Sequence, residues 1–317
     1  MRIDVIGVPV DLGADRRGVD MGPSAIRYSG LMQAIRNLDI KCRDLGNIDV
    51  PVPESTPAGK DETGGGREAL KYMSGDGHAA PKHINEIRKI NEALYKVVGA
   101  SLKSGNMPLV LGGDHSIATG TLLGVQSVYK NIGVIWMDAH GDYNTEKTTL
   151  SGNFHGMSLA AATGAGMREM TRFKPEDVPF INPEKIAIIG ARSLDPEEAV
   201  LLKKTGVNVF TIEDIDMYGL RAVMQRAIEL VESGTEGFQL SFDLDVVTPT
   251  DAPGVGTPVK GGLTYREAHL AVEMLSKRPK LCSLEFVELN PILDNANMTG
   301  ELAVSLISSV LGKRVYR

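Results

Sequence analysis

Cysteine is scarce in this chain. Two occur among 317 residues, Cys42 and Cys282. They are too few for a disulfide scaffold, and buried free thiols in a reducing cytosol are the expectation. Long hydrophobic runs are missing too: no apolar stretch reaches the ~18 residues of a spanning helix, so no membrane segment is expected. Asp4 and Pro9 interrupt the N-terminal apolar stretch and break any signal-peptide core. Positive charge is not in excess, since 34 Lys and Arg stand against 40 Asp and Glu, a net charge of −6. A weakly acidic chain is a poor nucleic-acid binder, and a small molecule or a cation suits it better. The expectation is a cytoplasmic protein without nucleic-acid or membrane partners. What is present is ordinary globular composition, 42% hydrophobic and 23% charged, which excludes disorder and supplies a large core.

Short apolar, β-branched runs recur at 5–10, 108–112, 132–137, 186–190, 207–212, 238–242 and 281–287. Each ends in glycine, aspartate or a polar turn, as strands buried on both faces of a parallel sheet do. Helix-period segments at 85–103, 218–233, 265–276 and 302–311 lie between or after them. Strand–helix alternation of this kind predicts a three-layer α/β fold with right-handed crossovers. Residues 51–83, rich in proline and glycine, read as a surface insertion, because the alternation resumes afterwards in the same style. A single domain over 1–317 is therefore expected.

Ionisable groups concentrate where strands stop, and the carboxyl ends of parallel strands are where such sheets bind ligands. The first segment is Gly112-Gly113-Asp114-His115-Ser116; taken alone, it also suits a glycine turn before a helix cap. The second is Asp138-Ala139-His140-Gly141-Asp142, where alternation in an extended chain points Asp138, His140 and Asp142 to one side. The third is Asp243-Leu244-Asp245, a carboxylate pair that would repel unless a cation sat between its members. Together they offer His115, Asp138, His140, Asp142, Asp243 and Asp245. That set exceeds the needs of one zinc ion and fits a pair of near-octahedral ions, with Mn²⁺ favoured over softer metals. Two such ions would activate a shared water, which predicts hydrolysis. Beyond them, His155 in a polar glycine loop suits a proton shuttle, and Glu285 or Glu288 could grip a cationic group. His78, His83 and His269 lack ligand-type neighbours and read as structural or exposed.

These segments, with Ser151-Gly152-Asn153-Phe154-His155-Gly156, Glu288-Leu289-Asn290-Pro291 and Gly256-Thr257-Pro258, occur in an order that resembles the ureohydrolases, and within them the arginase family. The resemblance extends over nearly the whole chain. It implies an α/β/α sandwich around an eight-stranded parallel sheet (arginase/deacetylase-like) and two Mn²⁺ ions per subunit in a homotrimer or homohexamer. One ion would take His115, Asp138, Asp142 and Asp243; the other, His140, Asp138, Asp243 and Asp245. A hydroxide bridging them would attack the guanidinium of L-arginine, releasing L-ornithine and urea. By the same resemblance Asp142 passes a proton to the leaving amine, His155 relays protons and Glu288 holds the guanidinium. Asn144, Ser151 and Asn153 would meet the α-carboxylate, Asp195 the α-amino group, and Thr257 the substrate. Thr248 and Gly141 depart from residues more usual in the family. Alternatives left open are agmatine, guanidinobutyrate or N-hydroxy-arginine as substrate, and a non-catalytic regulatory subunit of the same fold.

Overall fold

Every apolar run of the sequence lies beside another in one sheet. The computed structural model describes residues 2–51 and 81–316, so most of the expected 51–83 insertion lies outside the described residues. In chain order come β1 (Arg2–Val8), α1 (Gly22–Tyr28), α2 (Leu31–Arg36), β2 (Lys41–Asn47), α3 (Ile84–Lys103), β3 (Met107–Gly112), α4 (Ala118–Gln126) and β4 (Ile132–Met137). Then follow α5 (Ser158–Thr163), β5 (Ile186–Ala191), α6 (Pro196–Thr205), β6 (Asn208–Thr211), α7 (Ile212–Tyr218), α8 (Leu220–Glu232), β7 (Gly237–Asp243), α9 (Tyr265–Leu275), β8 (Leu281–Val287) and α10 (Met298–Val310). The eight strands pair in parallel in the order β2-β1-β3-β8-β7-β4-β5-β6.

The pleat sorts side chains into two cores. On β4, Ile135 and Met137 pack with Met224 of α8 and Val272 of α9. Val134 and Trp136 face the other way, toward Leu94 of α3 and Leu122 of α4. Helices thus cover both faces, as a parallel sheet requires. Each fully buried aliphatic contributes roughly 1.5–3 kcal/mol, and these cores hold the sheet on which the site depends.

Three features differ from expectation. β2 was not foreseen, because Lys41-Cys42-Arg43-Asp44-Leu45-Gly46-Asn47 is a largely exposed edge strand without apolar alternation. Arg43 ties it to buried Asp4 (3.1 Å), and Arg27 to Asp44 (2.7 Å). The expected 218–233 helix is α8, but the short helix α7 before it was not foreseen; Gly219, at φ 77°, ends α7 and starts α8. Helix α4 escaped notice because it is buried on every side and has no polar face to give it a period. Both cysteines are free, and burial pushes the Cys282 thiol up to about 12. Among the described residues no helix is long and apolar enough to cross a membrane.

Candidate metal centre

Strands β3, β8, β7 and β4 are neighbours in the middle of the sheet, and a ligand-type residue follows or ends each of them. After β3 the chain turns at Gly113, where a Cβ would collide with the Val10 carbonyl. Asp114 then accepts the Ser116 N–H (3.0 Å) and the Gly13 N–H (2.7 Å), which sets the short turn carrying His115. After β4 the backbone leaves the strand. Asp142 takes φ 49°, a left-handed conformation unusual outside glycine. Simple alternation therefore does not describe 138–142, yet the turn still directs Asp142 at His115.

His115 is fully buried and stacked on Trp136, ring centroids 4.0 Å apart. Its Nε2 lies 2.8 Å from Ser241 Oγ, and the Ser241 hydroxyl donates to Glu285 Oε1 at 2.8 Å. A serine has one proton, so Ser241 accepts from Nε2–H and the lone pair stays on Nδ1. Nδ1 has no hydrogen-bond partner. It faces Asp138 Oδ2 at 3.2 Å, Asp142 Oδ2 at 3.1 Å and Asp243 Oδ2 at 3.3 Å. A lone pair turned toward three carboxylate oxygens is a cation's donor set, not a hydrogen-bonded histidine's. Beside it, His140 Nδ1 lies 3.0 Å from Asp245 Oδ2 and 3.4 Å from Asp138 Oδ1. Two groups able to hold an ion result, His115–Asp138–Asp243 and Asp138–His140–Asp245, with Asp138 common to both.

Electrostatics agree with that reading. Burial and the charges of Asp245 and Asp138 push the Asp243 carboxyl far above its usual range. Burial and Asp138 push Asp142 up to about 6. A cation among these oxygens would relieve the repulsion. The acids are held in place by backbone and indole donors: Ala139 N–H to Asp245 (3.1 Å), Asp245 N–H to Asp243 (2.8 Å), and Trp136 Nε1–H to Asp138 (2.9 Å).

Beside the cluster opens a pocket of about 430 Å³ lined by Ala14, Asp15, Arg16, His140, Asn153, His155, Gly256, Thr257, Pro258, Val259 and Glu288. Asn153, His155, Thr257 and Glu288 thus lie in it together. Asn144, Ser151 and Asp195 are not among its lining residues. Asn144 instead donates to Asp195 Oδ2 (2.9 Å) and accepts from Thr148 (2.8 Å), while exposed Ser151 accepts the Asn153 N–H. Thr257 donates to Asp245 (3.2 Å). Glu288, at φ 67°, accepts the His115 N–H (2.9 Å) and meets His155 Nδ1 (3.0 Å) through one oxygen. Glu285 does not reach the pocket; it is buried inside β8 between Ser241 and Thr121, behind His115. His269 is buried against Ser309, and His83 opens α3; His78 lies outside the described residues.

Several contributors were invisible as motifs. Glu198 caps α6 and accepts the N–H groups of Tyr143 and Asp195, and burial pushes it up to about 7. The Asp-Pro-Glu-Glu run that forms this capping box was a readable signal. It also explains Gly141, where a Cβ would lie 2.8 Å from the Glu198 carboxylate. Arg192 donates to the carbonyls of Asp245, Val246 and Val259, pinning the loop that carries Thr257. Nothing in a linear reading marks that arginine.

The His155–Glu288 pair yields a pH prediction. Burial works against a charged His155, but Glu288 and the charges of Asp142 and Asp114 raise it to about 9. A folded value above the unfolded ~6.5 means stabilisation that is complete below ~6.5 and lost as pH rises through about 9. Thermal melts from pH 6 to 9.5 should show the native protein losing on the order of 1–3 kcal/mol relative to His155→Gln. Parallel curves would remove the ion pair from the account.

Comparison with known proteins follows the same lines. The model of the Arginase family matches residues 1–312. An arginase of Brevibacillus brevis is 47% identical over 313 residues, 99% of this chain and 98% of its own. One of Bacillus caldovelox is 45% identical over 313 residues, 99% of each. The crystal structure of arginase from Bacillus subtilis superposes with a TM-score of 0.87 at 44% identity, covering 99% of this chain and 100% of that one.

Proposed function

Because the chain belongs to the arginase family, and is on that ground a hydrolase acting on an amidino group, we propose that its substrate is L-arginine, cleaved to L-ornithine and urea, with Mn²⁺ as cofactor. The observation that carries the reading is the pair of His/Asp groups sharing Asp138 at the foot of the pocket. The partnerless Nδ1 of His115 and the crowded carboxylates fit divalent cations. His115, Asp138, Asp142 and Asp243 would hold one ion, and His140, Asp138, Asp243 and Asp245 the other. Bound there, the ions supply Lewis-acid activation of water at neutral pH, which a resonance-stabilised guanidinium needs.

The chain's own residues would do the rest. Glu288 Oε2 is buried and without a hydrogen-bond partner, on the side where Gly256 leaves space. It holds the guanidinium by a charge-assisted pair, while its other oxygen orients His155 and the His115 turn. Asp142 passes a proton to the departing amine, which cannot leave as an anion. His155 relays protons between the site and solvent. Asn144, Ser151 and Asn153 serve the α-carboxylate, Asp195 the α-amino group and Thr257 the substrate chain. Agmatine has no carboxylate to engage these groups, which disfavours it. The same reading makes the protein a cytoplasmic homotrimer or homohexamer with one domain over 1–317.

Metal analysis of purified protein, run beside urea release from L-arginine, agmatine, guanidinobutyrate and N-hydroxy-arginine, tests the proposal. L-Arginine should be preferred, chelation should abolish release, and Mn²⁺ should restore it. Preference for agmatine would overturn the substrate; release unaffected by chelation would overturn the chemistry.

A further inference from the structure

Lys82 lies beside the pocket, against two of its lining residues. Its backbone N–H donates to Gly152 O (3.0 Å), and its ammonium reaches Asp15 Oδ1 (2.7 Å) and Asn153 Oδ1 (3.1 Å). Asp15 and Asn153 both line the pocket. An ammonium carries donors only, so the Asn153 amide must present its oxygen to Lys82. Its NH₂ end then meets Asp15 and keeps one further N–H for an acceptor in the pocket. Burial would raise the Asp15 carboxyl, but Lys82 and Asn153 hold it below the usual range, so it stays ionised and paired.

We infer that Lys82 is a specificity-determining residue: it fixes the donor end of Asn153 toward the pocket and cancels the Asp15 charge, so that guanidines bearing a carboxylate are admitted. The inference rests on the arginine-hydrolysing reading. Without Lys82, an uncompensated Asp15 carboxylate stands at the mouth and draws the Asn153 NH₂ to itself, away from the pocket. Both changes oppose a carboxylate and neither opposes the terminal amine of agmatine. Lys82 has no contact with the His/Asp cluster, so the chemical step does not depend on it.

The test compares Lys82→Met, Lys82→Arg, Asp15→Asn and the double variant Lys82→Met/Asp15→Asn. It reads KM and kcat for L-arginine and Ki for agmatine as a competitive inhibitor. Lys82→Met should raise KM for L-arginine about tenfold, the scale of one charge-assisted contact, with kcat within about twofold. The agmatine Ki should stay level or fall. Lys82→Arg should keep native values, and the double variant should recover part of the arginine KM. Asp15→Asn alone should weaken agmatine without weakening L-arginine, and this variant carries the test if Lys82→Met does not fold. KM for L-arginine and Ki for agmatine rising together, a fall in kcat alone, or no change would each overturn the inference. Absence of arginine turnover in the unaltered protein would instead sink the parent reading before any variant is made.

Discussion

Asp138→Asn is expected to lower urea release by at least about a thousandfold and, with two ions per chain held as proposed, to reduce bound metal to one or none. The size of the effect follows from position. Asp138 belongs to both His/Asp groups, one oxygen 3.2 Å from His115 Nδ1 and the other 3.4 Å from His140 Nδ1. The same carboxylate accepts the His140 N–H (2.6 Å) and the Trp136 indole (2.9 Å), so its negative charge also fixes the turn and the stacked ring. An amide supplies a weaker ligand and sets an NH₂ against one imidazole lone pair. Plasma emission counting of metal, beside turnover, decides it. Full metal content with normal turnover would show that the shared acid is not a ligand. His140→Asn removes one group alone and leaves His115 untouched, which makes it the natural companion measurement.

Glu288→Gln should lower kcat/KM for L-arginine on the order of a thousandfold while metal content stays native. Taking one partner from a buried ion pair costs roughly 2–5 kcal/mol. Here the uncompensated partner would be the guanidinium itself. The variant also disturbs His155, whose Nδ1 meets the same carboxylate (3.0 Å), so its pH stability profile should move toward that of His155→Gln. Loss of metal in Glu288→Gln would reassign the residue from substrate to cluster; retention of full kcat/KM would remove it from the site.

How much of this was legible beforehand depends on how each residue acts. His115, Asp138, His140, Asp142, Asp243 and Asp245 stand in short runs directly after apolar strands, so motif and strand end coincide in one stretch of text. The central strands were equally readable, because burial on both faces makes them continuously apolar. Residues that act across the sheet were not. Ser241 and Glu285 meet only because β7 and β8 pair in a register that sets them opposite each other. Lys82 and Asp15 are 67 positions apart and touch at a rim that exists only once the sheet is built. Edge strand β2 lacked a signal because it buries almost nothing. The 138–142 turn brought its acids together by a left-handed residue, where extended-chain alternation had assumed a flat path.

The metal-facing groups are delivered by strands that hydrogen-bond to one another, and no hinge divides them. Reshaping that cradle would mean shearing the sheet itself. Freedom to retune what the protein accepts therefore resides in the rim, in residues 13–16, 151–155 and 256–259. Within them, Ala14, Asp15 and Asn153 are replaceable fittings, whereas Gly13, His155 and Thr257 are bolted to the floor through Asp114, Glu288 and Asp245.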